Sequence, residues 1–178
     1  MLNPVTAEFI SQLQRLLPAA AFPELGDKYL TEPRGYYRGS AGLLVAPDST
    51  AQVAQVIAAA AAARVGVVPY GGGTGLVGGQ ILPESTTDAP APLILSLGRM
   101  RRIRACYPAE NVLVAEAGAV LAEVQQSAAD VDRLFPLSLA SEGSAQIGGL
   151  LATNAGGVNV LRYGMARDQV LGIEAVMA

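Results

Sequence analysis

The sequence predicts an α+β fold in two subdomains, residues 1–80 and 81–178. Three observations predict it. Short apolar runs of strand length alternate with helical stretches, residues 43–68 read as a complete strand–helix–strand unit, and glycine is concentrated in two places. The segments 67–80 and 143–157 hold eleven of the twenty glycines. Glycine adds nothing to a core and loses much backbone freedom on folding, so this density implies backbone that turns sharply or lies directly against a ligand.

Asn3-Pro4 reads as a helix N-cap and first helical position, after which Phe9, Leu13, Leu16 and Leu17 repeat at helical spacing. Pro18, Pro23 and Pro33 break the next stretch into a loop carrying Arg34-Gly-Tyr-Tyr-Arg38, which is open to reading as an interface patch, an anion pocket or plain surface. Leu43 to Ala46 is a short strand closed by Pro47. Ser49 to Gln52 matches a capping box, Val53, Val56, Ile57 and Ala60 form one apolar face, and Gly66 ends the helix. Val67-Val68 resumes as strand and delivers the first glycine loop at its carboxyl end, where ligands commonly sit in α/β units.

Residues 83–92, with three prolines and a Ser-Thr-Thr-Asp cluster, form a surface loop. Leu93 to Leu97 and Val112 to Ala117 are further strands, and Leu121, Val124 and Ala128 mark a helix after the second. Val170 to Met177 reads as a last strand. A chain that stops on Ala175-Val-Met-Ala178, without turn residue or polar tail, reads as an excised domain.

Composition narrows the function. Hydrophobic residues make up 51% and charged residues 15%, which argues for a packed aliphatic core and against disorder. A net charge of −3 without a Lys/Arg run excludes nucleic acid as a partner and makes any phosphate recognition the work of local backbone. The single cysteine, Cys106, rules out an internal disulfide and fits a reducing compartment. Leu16 to Phe22 loosely imitates a signal-peptide core, but Glu8, Pro18 and the lack of a basic leader point to the cytoplasm. No apolar run approaches membrane-spanning length, and the absence of histidine removes Ser-His triads and histidine-based zinc sites from these residues.

Gly73-Thr-Gly-Leu-Val-Gly78 satisfies the G-x-G-x-x-G dinucleotide pattern after a strand. A Rossmann fold would also need those glycines to open a helix, yet Pro83 arrives five residues after Gly78, and no strand ends on an acidic residue about twenty residues further on. The Walker pattern fails for want of a Lys-Ser/Thr pair. Glycine turns with no ligand remain the alternative.

Pro69-Tyr-Gly-Gly-Gly-Thr-Gly-Leu-Val-Gly-Gly-Gln80, Phe135 to Gly149 and Ala152-Thr-Asn-Ala-Gly-Gly157, in that order, resemble the FAD-binding domain of vanillyl-alcohol-oxidase (PCMH-type) flavoproteins. Leu161-Arg-Tyr-Gly-Met165 and Val170-Leu-Gly-Ile-Glu174 draw the resemblance toward the D-2-hydroxyglutarate and D-lactate dehydrogenase branch. The resemblance runs from about Gly39 to the last residue and implies an α+β, two-subdomain FAD-binding domain, not a Rossmann fold, truncated at its C-terminus, with FAD between the subdomains. It implies that Gly71, Gly72, Gly73, Thr74 and Gly75 wrap the diphosphate and that Gly78 and Gly79 continue the cradle. Pro136, Leu137, Gly143, Ser144, Ile147, Gly148, Gly149 and Gly157 then line the other side, with Asn154 near the flavin ring. Ser144 also suits a helix N-cap and Asn154 a turn.

Arg162 and Tyr163 either reach the site or form a solvated pair. With no histidine, and with Cys106 outside the matched motifs, the FAD is expected to be non-covalent. The implied activity is oxidation of a D-2-hydroxy acid, with a small-molecule substrate, an electron acceptor and homo-oligomerisation left open. The metal-ligating histidines and catalytic base are implied to lie in later sequence, so no catalytic residue or metal ligand is assigned here. The competing class is a nucleotide-binding or interaction module without catalysis.

Overall fold

The computed structural model describes residues 2–82, 86 and 89–178. The chain divides into two compact units, Met1–Arg99 with Ala175–Ala178, and Met100–Glu174. The division falls after Arg99 rather than after residue 80, because the strand at 93–96 is the centre of the first unit's sheet.

In the first unit, α1 (Ala7–Leu16) is capped by Thr6, whose hydroxyl accepts the Phe9 N–H. The expected Asn3 cap is not formed. Asn3 instead donates its backbone N–H to Arg64 O and its side-chain amide to Ala63 O, both at 2.8 Å, and so serves the end of another helix. That helix, α2 (Thr50–Ala63), starts at Ser49 as expected, but Gln52 reaches back to the N–H of Asp48 rather than Ser49. It ends on Arg64 in the left-handed conformation (φ 53°), two residues before Gly66.

Strands β1 (Leu43–Val45), β2 (Val67–Tyr70) and β3 (Leu93–Ser96) form a parallel sheet in the order β1–β3–β2, with Leu43 and Val67 both in register with Leu93. All of β3 is buried, as parallel sheets covered on both faces require. Alternation along the strands sorts the side chains. Val45, Leu93 and Leu95 join Phe9, Leu13 and Leu17 of the N-terminal segment and Val56 and Ala60 of α2, whereas Leu44, Ile94 and Tyr70 pack with Leu25, Tyr29 and Leu30 on the opposite face. The carboxyl ends of the three strands share one edge, and the first glycine loop leaves from the end of β2. The expected loop at 83–92 lies partly outside the described residues, since 83–85, 87 and 88 are not among them.

The second unit opens with an antiparallel hairpin, β4 (Ile103–Tyr107) and β5 (Val112–Ala115), turning through Asn111 at φ 56°. Its organising charge is Glu116, whose buried carboxylate accepts the Arg102 backbone N–H at 2.9 Å, the Arg102 guanidinium at 2.8 and 3.0 Å, and Arg104 at 3.4 Å. The Arg102 side chain, opposed only in part by burial, holds this carboxyl below its usual range. Helix α3 (Leu121–Ala129) follows, with Glu123 reaching back to the N–H of Val120. The second glycine segment then contains α4 (Ile147–Thr153), which starts three residues after the Ser144 that suited a helix N-cap, and α5 (Val160–Tyr163) follows it. Leu121, Leu137, Ala145, Leu150 and Ala166 make this unit's core. Residues 170–177 do not form the expected strand: they have no ladder partner among the described residues, and a strand without one leaves its backbone groups unpaired.

Candidate cofactor site

The predicted site residues fall into two sets, one on each unit. In the first, Val67 to Tyr70 form β2, and the chain then runs irregularly from Gly71 to Gln80. Gly73 (φ +70°) and Gly78 (φ +73°) adopt backbone that side-chain-bearing residues rarely accept. Each also has a neighbour where a Cβ would be: the Tyr70 hydroxyl end at Gly73 and the Tyr37 ring, 3.1 Å away, at Gly78. Tyr70 is held in place by its hydroxyl, which donates to Lys28 O at 2.6 Å, and by edge-on contact with Tyr29, ring centroids 4.8 Å apart. Burial, and next the Tyr29 phenol, push its own phenol above the usual value, so it acts here as a hydrogen-bond donor.

The loop's carbonyls and N–H groups are treated differently. Gln80 Nε2 donates to Gly75 O at 2.9 Å and Gly73 O at 3.3 Å, and the Arg34 guanidinium donates to Leu76 O. Among the described residues, no backbone N–H from Gly71 to Gly79 has an acceptor. The space where a Gly79 Cβ would project is open. A run of unpaired N–H groups at the carboxyl edge of a parallel sheet is able to receive an anion without a lysine.

Arg34 is itself fixed. Its Nε donates to Glu32 Oε1 at 2.7 Å, and Glu32, 1% exposed, also accepts the backbone N–H groups of Arg34 and Tyr36 at 3.1 and 3.0 Å. Burial pushes the Glu32 carboxyl up, but these hydrogen bonds, the Arg34 side chain first, outweigh it and hold it below the ordinary range. Arg38 pairs with Asp27 at 2.6 Å and contacts Thr31 at 2.9 Å. The aromatic-basic cluster thus braces the glycine loop through Arg34 and Tyr37. Sequence reading missed Glu32, Arg34 and Gln80 in this role; the signal for Gln80 was a long amide directly after six glycines in ten residues.

The second set is spent differently. Gly148 donates its N–H to Ala117 O at 2.7 Å and packs so closely that a Cβ would lie 3.0 Å from that of Ala117. A Cβ on Gly157 would collide with the Ser138 carbonyl. Pro136 O accepts from Asn159 and Leu137 O from Gln125, while the Leu137 side chain is core and Ile147 packs against that core. Ser144 does not cap α4: its N–H bonds to Ser141 O, and Gln146 holds the N-cap position. Asn154 is the left-handed C-cap (φ 50°), its Oδ1 accepting from the Arg167 N–H at 3.1 Å, so the turn role is realised. Open space surrounds the Cβ positions of Gly143 and Gly149. Nearby, Gln146 Oε1 is buried without a partner among the described residues. Arg162 lies over the Tyr163 ring at 5.1 Å on a helix whose Leu161 is wholly exposed. Among the described residues no cluster could hold a metal ion, and no helix is long and apolar enough to cross a membrane.

A mixed fold in which, among the described residues, no helix opens directly from the first glycine loop stands outside the Rossmann class. The family described as FAD binding domain matches residues 41–178, and the chain belongs to it, within the vanillyl-alcohol-oxidase (PCMH-type) flavoproteins. The cofactor of this domain is FAD. The chain is 40% identical over 144 residues to a probable D-2-hydroxyglutarate dehydrogenase, mitochondrial, of Oryza sativa subsp. indica, covering 81% of this chain and 25% of that protein. It is 35% identical over 176 residues to D-2-hydroxyglutarate dehydrogenase, mitochondrial, of Bos taurus, covering 98% of this chain and 31% of that one. The chain therefore spans about a quarter to a third of these relatives. Among solved structures, an alkyldihydroxyacetonephosphate synthase matches with a TM-score of 0.81 at 19% identity, over 96% of this chain and 37% of that one, which shows the shared fold. The cytoplasmic expectation is overturned: both relatives are named as mitochondrial, and neither the single cysteine nor the lack of a basic leader decides compartment.

The residues present fit FAD. The unpaired N–H groups of 71–79 suit a diphosphate, and the open space at the Gly79 Cβ position admits a ligand without a side chain in the way.

Proposed function

We propose that this domain holds FAD for a dehydrogenase that oxidises a D-2-hydroxy acid, of the D-2-hydroxyglutarate or D-lactate class, to the 2-oxo acid. The observation that carries the reading is the loop Gly71 to Gly79, whose N–H groups lack internal acceptors in a chain of the FAD-binding family. Gly71, Gly72, Gly73, Thr74 and Gly75 take the diphosphate, and Gly78 and Gly79 extend the contact. Of the residues expected at the cofactor in the second unit, Gly143 and Gly149 have open space at their Cβ positions, whereas Pro136, Leu137, Ser144, Ile147, Gly148, Asn154 and Gly157 serve that unit's own packing and turns. Bound FAD supplies a hydride acceptor at flavin N5 for the substrate α-carbon. The chain's own work is to bind it through backbone, since each charge-assisted N–H contact is worth about 1.5–3 kcal/mol.

The purified protein should be yellow, and acid precipitation should leave the flavin in the supernatant. Flavin retained on the precipitate would contradict non-covalent binding. Anaerobic D-2-hydroxyglutarate or D-lactate should bleach the flavin band of the complete enzyme; bleaching by neither would sink the hydroxy-acid assignment while leaving FAD binding intact.

A further inference from the structure

We propose that Gln80 and Arg34 are positioning residues of the cofactor cradle, turning three loop carbonyls away so that the intervening N–H groups face the diphosphate. This rests on the reading of Gly71 to Gly79 as the diphosphate loop. A carbonyl oxygen carries partial negative charge, so a glycine loop left to itself offers an anion as much repulsion as attraction. In a planar trans peptide, C=O and the following N–H point in opposite directions. Fixing one therefore aims the other.

Gln80 Nε2 has two protons, and both are used, on Gly73 O and Gly75 O; that aims the N–H groups of Thr74 and Leu76 to the opposite side. The Arg34 bond to Leu76 O does the same for the N–H of Val77. All three N–H groups lack acceptors among the described residues. Arg34 can serve because the buried Glu32 carboxylate grips its Nε at 2.7 Å and two backbone N–H groups of the same turn, which fixes where the guanidinium lies. Its positive charge then stands beside the loop at Leu76. Neither residue need touch the cofactor.

The test compares FAD with riboflavin, which lacks the diphosphate, by fluorescence titration of the deflavinated protein. Gln80→Met keeps the side-chain length and loses both hydrogen bonds; Gln80→Glu replaces the donor with a charged acceptor. The dissociation constant for FAD should rise about tenfold in the first and further in the second, with riboflavin binding unchanged. Removing Arg34 alone would leave the Glu32 carboxylate buried without its cation, so the matching variant is the double change Glu32→Gln, Arg34→Met, expected to show the same selective loss. FAD affinity within about twofold of wild type in Gln80→Met would overturn the proposal. Equal losses for FAD and riboflavin would do so as well, by reducing Gln80 to general support. If the wild-type protein bound neither flavin, the cofactor reading itself would fail, a result distinct from both.

Discussion

The two glycine segments are similarly rich in glycine and direct their backbone hydrogen bonds in opposite ways. From Gly71 to Gly79 the N–H groups are left without internal acceptors while three carbonyls are tied to Gln80 and Arg34. In the second segment, Ser144, Ala145, Ile147 and Gly148 all give their N–H groups to acceptors in their own unit, and Gly148 and Gly157 are glycine because other backbone lies against them. Density of glycine marks backbone in close contact with something. Whether the something is a ligand or the protein is decided by where the hydrogen bonds go.

The sharpest way to break the comparison is Gly157→Ala. Its Cβ meets the Ser138 carbonyl, so backbone must move, and unfolding stability should fall by about 3 kcal/mol, read from denaturant midpoints. A stable variant with weakened FAD binding would move Gly157 into the ligand class. Gly149→Ala should separate the two functions in the other direction. Gly149 sits in α4 with open space at its Cβ, so alanine should stabilise the helix by about 0.5–1 kcal/mol while FAD affinity drops. Raised stability with unaltered affinity would remove Gly149 from the cofactor face.

Smallest is a pH effect that each unit shows through one buried carboxylate, Glu32 in the first and Glu116 in the second. Both are held below the ordinary carboxylate range in the folded state. Their contribution to stability is therefore complete above the unfolded value, about 4.3, and is lost as pH falls through the lower folded values. The thermal midpoint should be level down to about pH 5 and decline below about pH 4. Glu116→Gln should lower the midpoint at neutral pH and flatten that acid decline; an unchanged profile would show that Glu116 contributes nothing on folding.

What could be read beforehand follows the same physics. The place of the first glycine loop in the fold was legible because β2 is an apolar run ending at the carboxyl edge of a strand–helix–strand unit, and the Rossmann alternative fell to Pro83 and a missing acidic residue. Helix α4 was legible only as a possible N-cap at Ser144, since Gly148 and Gly149 hide a helix that exists through packing on Ala117 and Leu121 rather than through propensity. Strand β4 was missed because Arg104 and Cys106 interrupt its apolar run; the signal lay in the alternation of Ile103, Ala105 and Tyr107 before a turn at Asn111. Asn3 was misread because an asparagine able to cap its own helix is equally able to close another, and Thr6 took the first task. The strand expected at 170–177 shows that apolar, β-branched sequence is permissive only; pairing must come from a partner.

The order β1–β3–β2 has a consequence for how the domain comes into being. β1 and β2 never pair with each other; each is hydrogen-bonded to β3, which arrives after both in the chain. A nascent polypeptide that has emerged through Gln80 already contains the whole first glycine loop, Arg34 and Glu32, yet lacks the strand that makes a sheet of its two predecessors. The loop's platform is therefore assembled by insertion rather than by growth from one end, a non-local step of the kind that slows folding. The edge from which the loop leaves is complete only once residues 93–96 lie between β1 and β2.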